Sequence, residues 1–435
     1  MRLSNSKIKQ GILHAEQSVR DAAVSHFAME HSDDRTVMPL ASEAIDTYGS
    51  QEAFSEIDAL QSLAQSDQTI SWLTSEVSQI GDPTDDQQWE YVSDLSWILA
   101  EADVHLLKRR RKDILALRFL NADARESIQQ RTRLLSVAPE SCWREFDECC
   151  QQLGSAQPNS TNVLRRAYQL LEVISHHPQK FSERLLSLLA EDADQRDIAR
   201  AWMQACAIRG AGQMRLADAI PHLVTLVQAN HEEWVREDCV IALARIGGDP
   251  VVKAVWNACA IAPPEFHEYA AWVLESVHCD LTVEAAQHLL QESSDLSTKI
   301  AYGYALLSNF AIDGIAPVRH LILSHADSEG MDDLRQALIA VCTLMEAEFS
   351  ELENWRAQFR EEESFRQQWQ SPTFPVVDTW SAPLGEASKR KQTAASSQPP
   401  PLRFPKNPQF QGIRRNDACP CNSGKKFKNC CMRRQ

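Results

Sequence analysis

Apolar residues recur at the spacing of amphipathic helices from about residue 5 to 370, and no stretch shows the period-2 alternation of a strand. The clearest segment begins at Asp218, where Ile220, Leu223, Leu226 and Val227 share one face before Asn230-His231 breaks the chain. A second helix is predicted over 232–246. It carries Val235, Cys239, Ala242 and Ile246 on one stripe and acids in its first turn, where they complement the helix dipole. Gly247-Gly248 ends it as a C-cap, and Pro250 follows. Ala242 and Ala244 are small enough to let two helices approach closely. A last helix is predicted over Glu351–Gln370, with Leu352, Trp355, Phe359, Phe365 and Trp369 near one face. Between about 50 and 160 the period is poor, and individual helix pairs are not assigned there. Trp72, Trp89, Trp97, Trp202, Trp234, Trp256 and Trp272 are read as core residues.

The pair of helices over 218–246 resembles a HEAT repeat. The likeness rests on Ala219-Ile220-Pro221 with Leu223 and Leu226, then Val235-Arg236, Ala242-Leu243 and Ile246-Gly247. The preceding unit is similar, from Asp197-Ile198-Ala199-Arg200-Ala201 to Gly212. Weaker echoes lie at Ser18-Val19-Arg20-Asp21-Ala22-Ala23 and at Ile315-Ala316-Pro317-Val318. The resemblance implies an all-α, HEAT-like helical-repeat solenoid over residues 1–370, clearest at 195–345. In such an array each pair is buried only against its neighbours, and a concave face is offered to partners.

From 371 to 413 the helical period is lost. Eight prolines and the run Lys389-Arg390-Lys391 mark a Pro-rich basic linker. Charge divides at the same place. Residues 387–435 hold twelve basic residues and one acid, Asp417, whereas the rest of the chain carries a net charge of -27. Such asymmetry points to a basic arm that meets an anionic partner. No apolar segment follows Met1-Arg2-Leu3-Ser4-Asn5-Ser6-Lys7, and the longest apolar stretch runs only from Ala337 to Met345. The chain is therefore expected to be cytoplasmic, with no membrane partner.

The twelve cysteines divide as well. Eight are scattered over the body among apolar helical residues and read as small buried hydrophobes. Cys419, Cys421, Cys430 and Cys431 fall within thirteen residues, in the order C-x-C-x8-C-C. Four soft thiolates at short range are the donor set that tetrahedral Zn²⁺ prefers. Asn422-Ser423-Gly424 supplies residues suited to a chain reversal. Thirteen residues build no hydrophobic core, so the metal would supply most of the folding energy.

This segment, 414–435, resembles the SEC-C motif, a small zinc-binding module found on the preprotein-translocase motor ATPase and on other proteins. Arg415, Asn416, Asp417, Cys419, Pro420, Cys421, Ser423, Gly424, Lys425, Lys426, Phe427, Lys428, Cys430 and Cys431 match its pattern. Arg414, Ala418 and Asn422 depart from it, and none of these is a ligand. The resemblance implies one structural zinc on the four cysteines. It also implies a docking surface made by Lys425, Lys426, Phe427, Lys428, Arg433 and Arg434. In the motor protein the module is understood to contact an export chaperone and the ribosome.

Other signals are weaker. Lys108-Arg109-Arg110-Arg111-Lys112 reads as a solvated helix face, His176-His177 as a helix-end pair, and Cys149-Cys150 as core. No HExxH, nucleophile elbow or paired acid–base constellation is present. The expectation is a non-catalytic adaptor that binds protein partners through the solenoid and docks, on a chaperone or the ribosome, through the zinc module. The rivals are RNA binding by the basic tail and an enzyme whose site lies in the solenoid groove without a sequence signature.

Overall fold

The computed structural model describes residues 2–155, 160–191, 197–229 and 232–370, and only the backbone of Ser160 and of residues 362–370. The linker at 371–413 and the cysteine-rich segment at 414–435 therefore lie outside the described residues. Within them the fold is all-helical, and the one extended pairing is an isolated bridge between Arg2 and Ala311. The α-helices are α1 (Asn5–Gly11), α2 (Gln17–Met29), α3 (Val37–Tyr48), α4 (Asp67–Ile80), α5 (Asp86–Ala100), α6 (Val104–Leu115), α7 (Ala122–Leu134), α8 (Pro139–Gly154), α9 (Ser160–Ser175) and α10 (Pro178–Leu189). They continue with α11 (Ile198–Gln213), α12 (Ile220–Ala229), α13 (Glu233–Ile246), α14 (Gly248–Cys259), α15 (Phe266–Ser276), α16 (Asp280–Glu292), α17 (Leu296–Ser308), α18 (Ile312–Ser324), α19 (Met331–Met345) and α20 (Leu352–Gln370). The described residues from 2 to 229 and from 235 to 364 belong to one compact body. Glu232–Trp234 and Phe365–Gln370 belong to a second unit, of which the start of α13 and the end of α20 are described.

Short polar side chains start many of these helices. Ser66, Asp85, Asp103, Asn121, Asp197 and Asp295 each accept a hydrogen bond from a backbone N–H of the first turn. Gly247 takes φ 66° and donates its N–H to the Leu243 carbonyl at 2.8 Å, closing α13. Pro250 does not stop the chain there. It sits in the first turn of α14, where its missing N–H costs nothing.

Neighbouring helices pack in series: α8 on α9, α11 across α8, α9 and α10, and α17 against α15, α16 and α18. The tightest surroundings of any described glycine are at Gly212, where an added Cβ would lie 2.7 Å from the Ala242 Cα. Small residues on both sides let the α11 and α13 backbones meet, as the composition of α13 predicts. Gly212→Val should therefore cost about 1–3 kcal/mol or more, because backbone cannot yield as a side chain can. Gly303→Ala should cost less, since its nearest neighbours are Leu334 methyls at 3.3 and 3.4 Å. Urea denaturation of the two variants checks this ordering.

Strict nearest-neighbour packing does not hold at the start of the chain. α2 packs on α15, α17 and α19. It buries Val19, Arg20, Ala23, Val24, His26, Phe27 and Ala28, more than one stripe, so it has a face for each side. Leu3 N–H donates to the Phe310 carbonyl at 2.9 Å, Lys7 pairs with Glu346 at 2.9 Å, and Arg215 at the end of α11 pairs with Asp33 at 3.0 Å. The tryptophans also differ from expectation. Trp89 is exposed, and the six others named above are half-buried.

Candidate functional site

The four cysteines Cys419, Cys421, Cys430 and Cys431, with Lys425, Lys426, Phe427, Lys428, Arg433 and Arg434, all lie outside the described residues. Their case rests on donor chemistry and spacing. Four thiols within thirteen residues are a donor set that suits Zn²⁺. By contrast, the body cysteines behave as apolar residues. Cys142, Cys149, Cys150, Cys206, Cys239, Cys259 and Cys342 are buried, and only Cys279 is partly exposed. Burial pushes the Cys149 thiol up to about 11 and Cys259 likewise to about 11, so neither is a ready thiolate nucleophile.

The body offers two polar regions. The first joins α11, α13 and the segment after α2. The Arg209 guanidinium stacks on Tyr168 at 4.3 Å, and Arg236 on Tyr269 at 4.7 Å. Burial, with Arg245, Arg215 and Arg209 nearby, drives the His31 imidazole down to about 3, so it is neutral near pH 7. Burial lowers Arg245 to about 10 and raises the Asp238 carboxyl to about 6, while Arg209 and Arg245 pull Asp238 back down. Between about pH 4 and 6 the unfolded chain has released the Asp238 proton and the folded chain still holds it. Stability should fall as pH rises through that window, and Asp238→Asn should remove this part of the slope. Urea midpoints of both chains across the window measure it.

The second region was not singled out from the sequence. The His26 and His278 rings stack with centroids 3.8 Å apart and planes 6° from parallel. His278 Nδ1 lies 3.8 Å from a Glu30 carboxylate oxygen. The His26-x3-Glu30 spacing on α2 was a readable signal, but its partner His278 is 248 positions beyond Glu30. Two other buried charges also went unread. Arg20 is held by backbone carbonyls, and Arg131 by Glu172 and the Ala102 carbonyl.

A groove of about 690 Å³ runs between α8 and α9, lined among others by Arg144, Glu145, Glu148, Cys149 and Arg166. Glu145 and Arg166 pair at 2.7 Å, and with the Cys149 thiol raised the groove presents no activated nucleophile. The basic run in α6 is partly engaged internally. Arg109 pairs with Asp67 at 3.0 Å, and Arg110 donates to Ser71 Oγ at 3.0 Å and to Asp113 at 3.2 Å. His177 occupies the N-cap of α10 without a side-chain capping bond. His176 meets His105 edge-on at 5.1 Å. No helix among the described residues is long and apolar enough to cross a membrane.

The chain thus joins an all-helical body to a cysteine-rich, basic segment. Residues 415–433 match the family model of the SEC-C motif. The match covers the segment with all four cysteines and speaks for that segment alone.

Proposed function

We propose that this protein is a non-catalytic adaptor. Its HEAT-like helical body holds a protein partner. The segment at 414–435, folded around one structural zinc on Cys419, Cys421, Cys430 and Cys431, docks on a second partner. Lys425, Lys426, Lys428, Arg433 and Arg434 supply the cationic surface, and Phe427 the apolar contact. Four thiolates and Zn²⁺ leave the centre near -2, which these cations offset. The reading is carried by the SEC-C match at 415–433. It is supported by the charge division between tail and body and by body cysteines held as unreactive thiols. Residues 371–413 act as the tether, and the ribosome or a chaperone is the class of docking partner. Both modules serve unrelated roles elsewhere, so the site and not the fold carries the function.

Affinity capture tests the proposal, using the wild type, a chain ending at Glu386 and a chain with all four cysteines changed to serine. The adaptor reading expects a set of nuclease-resistant proteins that both altered chains lose. Loss of every partner on RNase treatment supports RNA as the anion instead. An unchanged partner set in both altered chains contradicts docking by the tail.

A further inference from the structure

We propose that His26, Glu30 and His278 form a second metal site, for a divalent first-row transition ion of the Zn²⁺ type, and that the ion ties α2 to the turn after α15. Among the described residues these three form a group whose potential ligand atoms all lie within 4.8 Å of one another. His26 and Glu30 are four positions apart on α2, so they share a helix face. His278 enters from the turn between α15 and α16.

Each ring keeps one nitrogen for the site and uses the other on the backbone. His26 Nδ1 lies 2.7 Å from the Ser308 carbonyl, and His278 Nε2 lies 2.9 Å from the Glu275 carbonyl. A carbonyl only accepts, so both of those nitrogens carry the proton. In the neutral rings the lone pairs fall on His26 Nε2 and His278 Nδ1, and both atoms are buried with no hydrogen-bond partner among the described residues. Histidines that bind metals commonly donate their other ring N–H to a carbonyl or carboxylate, which fixes the ring and its tautomer. Here that arrangement occurs twice, on backbone atoms. A metal would give both orphaned nitrogens a partner; without one, two buried acceptors stay unmet.

Access and charge agree with this. The His26 residue and the His278 side chain are 1% exposed, but the Glu30 side chain is 34% exposed, so the carboxylate side is the route of entry. The Glu30 carboxylate adds an anionic oxygen 3.8 Å from His278 Nδ1, a charge that offsets a divalent ion. Donors on a tetrahedral ion with arms of about 2.0–2.1 Å stand roughly 3.3 Å apart. Binding therefore requires one ring to tilt out of the stack and Glu30 to swing inward, and three protein ligands leave a fourth position for water.

The test uses the full-length chain with Cys419, Cys421, Cys430 and Cys431 changed to serine, titrated with Zn²⁺ and with Co²⁺. The expected result is about one bound equivalent. Its Co²⁺ spectrum should show ligand-field bands without thiolate charge-transfer absorption, and Zn²⁺ should raise the thermal midpoint. Glu30→Gln and His278→Gln should each weaken binding at least about tenfold while leaving the far-ultraviolet circular dichroism unchanged. A four-serine chain that is folded but binds no metal overturns the proposal, as does equal affinity in both variants. Failure of the tail site looks different: the wild type and the four-serine chain would then bind the same single equivalent.

Discussion

Changing Cys430 and Cys431 together to serine should lower the zinc content of the purified protein by one equivalent per chain. These residues supply half of the proposed ligand set, and Ser is a far poorer ligand for Zn²⁺ than a thiolate. The remaining pair, Cys419 and Cys421, cannot close a tetrahedral site. A segment this short is not expected to build an apolar core, so any fold it has should go with the ion. Apparent zinc affinities of small zinc-folded peptides correspond to about 10–16 kcal/mol at neutral pH, and nothing else in a segment this short approaches that. The helical body draws its stability from its own burial, so its circular dichroism and thermal midpoint should not change. Metal analysis by plasma mass spectrometry, run under reducing conditions, measures the loss. Zinc content equal to wild type would show that the four cysteines do not hold the ion.

Arg20→Leu should destabilise the body by about 3–5 kcal/mol. Arg20 is 2% exposed. Its guanidinium donates to the Ala53 carbonyl at 2.7 Å, to His14 at 2.7 Å, to Ala15 at 2.9 Å and to the Glu52 carbonyl. It also lies over the Tyr48 ring at 3.9 Å. Among the described residues no carboxylate accepts from it, so carbonyl dipoles compensate its charge, and burial lowers its pKa. Leucine keeps much of the volume and leaves four carbonyls without their donor. Each orphaned buried acceptor costs about 1–3 kcal/mol, less where water can reach it. α2 would lose its hold on the segment before the 3-10 turn at Asp58–Ser62, while its apolar contacts with α15, α17 and α19 remain. Lys at this position should rescue only part of the loss, because one ammonium cannot reproduce the guanidinium fork. Chemical denaturation of the three chains gives the ordering wild type, Arg20→Lys, Arg20→Leu. A leucine variant as stable as wild type would refute the assignment.

The helices that were easiest to read are those whose apolar stripe is uninterrupted. Between 218 and 246, Ile220, Leu223, Val235, Cys239 and Ala242 are buried as their spacing predicts. From 50 to 160 the period was hidden because polar residues occupy buried positions. α7 buries Ser127, Arg131 and Thr132 beside Ile128, and α5 buries Ser96. Arg131 reads as a surface residue until Glu172, on α9, is placed beside it at 2.5 Å. Contacts across most of the chain were equally hidden. Nothing local in α2 says that His26 meets His278, Ser308 and Phe310 far along the chain, because loop-closing contacts leave no periodic trace. For the candidate sites the split is reversed. The tail proposal rests on a cysteine spacing readable within thirteen residues, whereas the His26–Glu30–His278 group needs the fold to bring its members together.

The most direct measurement of the central claim is capture of docking partners by the full-length protein before and after zinc removal. The protein is stripped with a chelator, split, and given back either Zn²⁺ or Mg²⁺, and partner recovery is quantified in each arm. Because Mg²⁺ prefers oxygen ligands, it should not refold a four-thiolate site. The account predicts that chelation abolishes recovery of the tail-dependent partners and that Zn²⁺ alone restores it, with no restoration in the four-serine chain. Full recovery from the stripped protein would contradict it.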